Sequence, residues 1–271
     1  MHLLIYAGPG PSREHVLAIA APLVERVATA VTLVTGGGAR HAPLLDEAAR
    51  RLGVPPGVPV TQRVLDGAPQ AAILTVAGER AHDLVIFGTF QRPLERLLRV
   101  WRDDTLAVRL KSSVLRVKGP VRPLRRILLA SGGDRHTFTT AERAIQLAAP
   151  LGASITVLHV VSQQPIVFDP RALPAADEAT FLAGDLPEAA ILRQAAEWLH
   201  ARGIPVAVRV RFGMVVDEVL AELAAGDYDL LAVGTHHLEG PLDRMLIEDL
   251  TGDLLDLCPR SILVARHTPG D

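Results

Sequence analysis

Asp227-Tyr-Asp-Leu-Leu-Ala-Val-Gly-Thr235, a polar loop, a helical run and Ser261-Ile-Leu-Val-Ala-Arg266 read as a buried strand, a glycine turn, an amphipathic helix and a second buried strand. The same order stands earlier in the chain. There it is Asp83-Leu-Val-Ile-Phe-Gly-Thr89, then a shorter loop and Ser113-Val-Leu-Arg-Val-Lys118, and Pro93-Leu-Glu-Arg-Leu-Leu98 matches Pro241-Leu-Asp-Arg-Met-Leu246. Two copies of one βαβ unit predict two domains of one fold, residues 1–119 and 120–271. Gly119-Pro120-Val-Arg-Pro123 marks the boundary, because two prolines and a glycine continue neither a helix nor a strand.

Outward from these copies, each half alternates strand and helix. The first half reads as strands His2–Tyr6, Val31–Thr35, Val60–Leu65, Leu84–Phe87 and Val114–Val117, with Ser12 capping the first helix. Its other helices are expected over Leu44–Leu52, Pro69–Glu79 and Leu94–Leu110. The second half reads as strands Arg126–Ala130, Ile155–Val161, Val206–Val210, Asp229–Val233 and Ile262–Val264. Helices Thr137–Ala149, Pro187–Arg202 and Val215–Ala225 lie between them. Ser162–Leu186, with Pro165, Pro170 and Pro174, reads as a surface excursion. Short apolar strands joined by helices imply parallel sheets covered on both faces, hence two doubly wound α/β domains.

The chain has 271 residues, 49% of them apolar, enough for two ordinary cores. A net charge of −2 offers no general attraction to nucleic acid or to an acidic membrane. The apolar runs are too short to span a bilayer, and Met1-His-Leu-Leu-Ile-Tyr6 leads straight into a strand, so the cytoplasm is the expected location. One cysteine, Cys258, excludes an internal disulfide and a thiolate metal cluster; beside Pro259 it reads as a packing residue. Asn is absent and Lys occurs only at positions 111 and 118, a bias that heat adaptation or a GC-rich genome explains equally well.

Arg126-Ile-Leu-Leu-Ala130, Gly152-Ala-Ser-Ile-Thr-Val-Leu-His-Val-Val161, the 229–235 run and Ser261-Ile-Leu-Val264 resemble the universal stress protein family in its tandem, two-domain form. The resemblance covers nearly all of 124–266, and a weaker copy covers 1–118. It implies the adenine nucleotide alpha hydrolase-like fold, with five-stranded parallel sheets in the order 3-2-1-4-5. It also implies a ligand crevice between the first and fourth strands, and a pseudo-dimer joined through the fifth strands, Val114–Val117 and Ile262–Val264. ATP-binding members carry a glycine loop after the fourth strand: Gly, two residues, Gly, nine residues, then Gly and Ser or Thr. Here Gly234 holds the first place, but His237 stands at the second and Ile247-Glu248 at the last pair. In the first half Gly88 is followed by Gln91, and the final pair falls near Arg99 and Val100. Where those members place an aspartate after the first strand, this chain has Gly132 and Gly8. Without the glycines the amide nest around a polyphosphate is lost, and Glu248 with Asp243 and Asp249 repels one. No cofactor is therefore expected, and ATP is disfavoured.

Candidate ligand-binding residues in the second half are Gly132, Gly133, Asp134, Val160, Gly234, Thr235 and His237. His136, His236 and His237, near His159 and Glu239, are the candidates for a metal site. Their spacing matches no helical metal motif, so solvent-facing loop histidines are the simpler reading. Arg92, Arg96, Arg99 and Arg102 fall at helical spacing and read as a solvated helix face. Gly36-Gly-Gly38 and Gly8-Pro-Gly10 are turn glycines outside any phosphate-loop pattern, and no Gly-x-Ser-x-Gly elbow occurs. Nothing nominates a general acid and base. The sequence thus predicts a non-catalytic stress-response or regulatory module. It would act on an unknown protein partner, as an intramolecular pseudo-dimer with a homodimer left open. Two alternatives stand beside it: a small-molecule, nucleotide or metal binder using the second-half crevice, and an enzyme of another doubly wound class.

Overall fold

The computed structural model describes residues 1–90, 106, 107, 109–162, 177–234 and 250–266. Two compact units emerge, Met1–Leu124 with Pro259–Asp271, and Arg125–Cys258.

In the first unit, β1 (His2–Tyr6), α1 (Arg13–Val27), β2 (Ala30–Thr35), α2 (Ala42–Leu52), β3 (Val60–Val64), α3 (Pro69–Glu79), β4 (Leu84–Gly88) and β5 (Ser113–Val117) follow in order. The strand order is β3-β2-β1-β4-β5, parallel throughout. Leu3, Leu4 and Ile5 are all fully buried, as are Val85, Ile86 and Phe87. Successive side chains of a strand point to opposite faces, so these runs require cover on both sides. The helices supply it: α1 packs on β1, β4 and β5, α2 on β2 and β3, and α3 on β1 and β2. The edge strand β3 instead alternates exposed and half-buried residues.

The second unit contains β6 (Arg126–Ser131), α4 (His136–Leu151), β7 (Ser154–Ser162), α5 (Glu178–Ala183), α6 (Pro187–His200), β8 (Val206–Gly213), α7 (Val215–Ala225) and β9 (Leu230–Gly234). Its order, β8-β7-β6-β9, repeats that of β3-β2-β1-β4. Part of the expected surface excursion is packed rather than loose. Phe181 of α5 is 3% exposed, and Glu178 accepts from the Val210 amide at 2.9 Å, covering the outer strand β8. The rest of the excursion, 163–176, lies outside the described residues, as do most of the helix expected over Leu94–Leu110 and its arginine stripe.

The last strand, β10 (Ser261–Ala265), pairs antiparallel with β5 in the first unit. The resemblance implied that these fifth strands lie side by side, and they do. Their register places Leu115 opposite Leu263, the same position of the two sequence copies, with Val114 opposite Val264. Repeat symmetry extends to the strand ends. Arg266 N donates to Ser113 Oγ at 3.1 Å, and Lys118 N donates to Ser261 Oγ at 3.2 Å. Both serines are buried. Ser113→Ala and Ser261→Ala should each cost about 1 kcal/mol, because each removes a buried hydroxyl to which a backbone amide donates a hydrogen bond. Urea midpoints of the two variants would check this, and a neutral double variant would show that the hydroxyls do not matter.

Candidate functional site

The carboxyl edge of the second-unit sheet collects most of the candidate residues. Register sets Ser131, the end of β6, beside His159 of β7, with Gly234 ending the neighbouring strand β9. The turn leaving β6 is tied internally. Gly133 N donates to Ser131 Oγ at 3.0 Å, and Ser131 Oγ lies 2.7 Å from Thr137 Oγ1. Asp134 Oδ1 accepts from His136 N at 2.9 Å, so the carboxylate sits on the amino end of α4, where helix polarity favours it. Gly133 needs its glycine: φ is +76°, and a Cβ would press on His159 Cε1 and on the Glu188 side chain. His159 Nδ1 hydrogen-bonds the Ser131 carbonyl at 3.1 Å, and Phe181 packs on its ring at 5.8 Å. His159 is therefore a packed, 7% exposed residue filling the edge.

The first-unit crevice, between the ends of β1 and β4, is bridged by the chain itself. Ser12 Oγ lies 2.5 Å from Thr89 Oγ1 and accepts from Thr89 N at 3.1 Å. Ser12 stands at the helix N-cap position as expected, but its side chain makes no capping bond. The hydroxyl satisfies the strand-end loop 77 residues away instead. Tyr6 reaches over Gly8 to Thr35 and meets Phe90 edge-on at 5.3 Å. Burial raises the Tyr6 pKa, and hydrogen bonds from Thr35 and Gly36 partly offset this. The space left among Tyr6, Gly8, Ser12, Arg13 and Phe90 is about 10 Å³, room for one water. A Cβ on Gly8 would strike the Tyr6 hydroxyl and Thr35, whereas one on Gly132 meets only Asp134, at 3.6 Å. Gly37 and Gly38 have positive φ, and their amides bond the carbonyls of Gly67 and Leu65, closing one loop on the next.

Among the sequence candidates, Gly132, Gly133, Asp134 and His136 share one turn. Val160, 8% exposed, adjoins His159 in β7. Thr235, His236, His237 and the substituted glycine-loop positions Ile247 and Glu248 lie outside the described residues, with Glu239, Asp243 and Asp249. Gln91, Arg99 and Val100 of the first-half loop do too. Among the described residues no three His, Cys, Asp or Glu side chains group to hold a metal ion. No described helix is long and apolar enough to cross a membrane. Sequence reading missed the Ser12–Thr89 bridge and Phe181. The first joins residues far apart in sequence, and the second stands in a proline-marked stretch that reads as surface.

Two units that repeat one strand order, with the candidate residues at the carboxyl ends of the strands, define a doubly wound class of α/β protein. The model of the universal stress protein family matches residues 123–266, more than half of the chain. The chain belongs to that family. A universal stress protein from Archaeoglobus fulgidus is similar in structure over 100% of this chain and 97% of its own, with a TM-score of 0.65 at 14% identity. A protein of unknown function from Pseudomonas aeruginosa is similar over 98% of this chain and 92% of its own, at 0.65 and 18%. The cytoplasmic domain of a prokaryotic cation chloride cotransporter is similar over 100% and 96%, at 0.61 and 12%. At these identities the likeness is one of fold. No curated protein matches the chain.

Proposed function

We propose that the chain is a tandem universal stress protein acting as a non-catalytic regulatory module of the stress response in the cytoplasm, with neither crevice holding ATP in the manner of the family's ATP-binding members. The bridged first crevice carries this reading. A nucleotide needs a site of several hundred Å³, and among the described residues the space beside the Ser12–Thr89 contact is about 10 Å³. Gly8 also has no room for the aspartate that the family resemblance places there. In the second unit, the amides of Gly133 and His136 already donate to Ser131 Oγ and Asp134. A phosphate there would meet the Asp134 carboxylate, a repulsion of about 4 kcal/mol per unit charge at 4 Å near a protein surface. The module works by binding a protein partner through the crevice rims. Equilibrium dialysis with labelled ATP should show no stoichiometric retention at micromolar concentration. One equivalent of nucleotide held by the purified protein would refute the proposal.

A further inference from the structure

His2, at the start of β1, and His82, just ahead of β4, meet at the end of the first-unit sheet opposite its crevice. Their ring centroids are 4.3 Å apart. Both Nε2 atoms reach Thr32 Oγ1 of β2, at 3.0 Å from His2 and 3.4 Å from His82. Arg80 Nη2 donates to the same oxygen at 3.0 Å. Thr32 is fully buried, and His82 is 5% exposed. A hydroxyl has one proton to give and two lone pairs to offer. Arg80, always a donor, takes one lone pair. The arrangement therefore closes when one imidazole donates and the other accepts the threonine proton, which requires that second ring to be neutral. With both rings protonated, one hydroxyl oxygen faces three cationic donors.

The second unit builds the same position from other residues. In the first unit His2 N donates to Asp83 Oδ2 at 2.6 Å, and Asp83 N to His2 O at 2.9 Å. In the second, Arg126 N donates to Asp229 Oδ2 at 3.0 Å, and Asp229 N to Arg126 O at 2.9 Å. Strand registers thus set Arg126 in the place of His2, Tyr228 in that of His82 and Thr156 in that of Thr32. There the Arg126 guanidinium lies 5.4 Å from the Tyr228 ring, and Tyr228 donates to Glu222. Neither an arginine nor a tyrosine ordinarily changes charge between pH 5 and 7.

We propose that the His2–His82–Thr32 cluster is a proton-operated lock that loosens the first unit, and not the second, as the pH falls from 7 to 5. It stands independently of the nucleotide reading. The charges facing the pair are Arg80 and Glu79 at the end of α3, Asp83 before β4 and the Met1 amino group; β2 contributes only Thr32. Glu79 is itself paired with Arg63 of β3. Burial, then His2 and Arg80, push His82 down to about 4, and burial with Arg80 also lowers His2. Because the folded pKa of His82 lies below its unfolded value near 6.5, its neutral form supports folding fully above that value. The support is lost as the pH falls towards 4.

Hydrogen exchange measured by mass spectrometry at pH 7 and pH 5, corrected for intrinsic exchange rates, tests the lock. Opening of peptides spanning β1 and β4 should rise on the order of 20-fold relative to those spanning β6 and β9. Asp83 and Asp229 play matching parts, so carboxylate effects largely cancel in the ratio. The double variant H2R/H82Y, which installs the second unit's pair, should abolish the difference, and the single variant H82Q should reduce it. An equal response of the two units in the unaltered protein overturns the proposal, as does an acid response that persists in H2R/H82Y or is undiminished in H82Q. If neither variant folds, the ratio in the unaltered protein decides.

Discussion

Replacing Glu222 by alanine is expected to lower the unfolding free energy by about 3 kcal/mol. Glu222 is 8% exposed and holds two partners: Arg211 Nε donates to one oxygen at 2.8 Å and the buried Tyr228 hydroxyl to the other at 2.9 Å. Arg211 also reaches Glu218 at 3.0 Å, so its guanidinium keeps one carboxylate after the substitution. That second partner keeps the loss at the low end of the 3–5 kcal/mol typical of a broken buried pair. Glu222→Gln, which keeps an acceptor for Tyr228, should cost roughly half as much. Burial alone would raise the Glu222 pKa, but hydrogen bonds from Arg211 and Tyr228 outweigh it, and the net shift is downward. Its contribution is therefore complete above the unfolded carboxylate range and disappears as the pH falls through the lower folded value. Urea unfolding at pH 7 and again near pH 3 should show a wide gap between Glu222→Ala and the unaltered protein, then a narrow one. A gap below 1 kcal/mol at pH 7 would count against the network as a source of stability.

Leu115→Ala and Leu263→Ala should each cost about 3 kcal/mol, within the range for emptying a fully packed leucine site. Leu115 is fully buried, Leu263 is 1% exposed, and the two face each other across the antiparallel β5–β10 pair. Directly opposed residues share a face of the sheet and touch. The double variant should therefore lose less than the sum of the single variants, by at least 0.5 kcal/mol. A double-mutant cycle on urea midpoints measures that shortfall, and strict additivity would mean that the two side chains do not share one packed site.

The alternation of strand and helix was legible because it rests on local signals that occur twice, whereas the strand order and the pairing of the fifth strands came from the family resemblance. Buried runs such as Leu84–Phe87 and Leu230–Val233 announce central strands, and their repetition marks two copies of one unit. Elements closed by distant partners were not legible. Val206–Val210 looked like a complete strand, yet β8 runs on through Arg211 to Gly213, paired with Val160–Ser162 of β7, while Glu218 and Glu222 of α7 hold Arg211. Ser12 carried the correct signal for a helix start, but its hydroxyl bonds Thr89, a partner that no helix-capping pattern encodes. Proline spacing marked Ser162–Leu186 as an excursion without showing that Phe181 would anchor part of it on His159 and Phe212. His2 and His82 carried no motif at all; their importance comes from meeting over a threonine on a third strand.

Placing β10 against β5 also sets a timetable for biogenesis. Lys118 and Ser261, which bond across this pair, are 143 residues apart in sequence. At translation rates of about 5–20 residues per second, the outer edge of β5 waits on the order of 10 s for its neighbour to be synthesised. Through that interval the nascent N-terminal half presents an unpaired strand edge, the kind of surface on which chaperones and aggregation compete. The half that is made first is thus among the last to be finished.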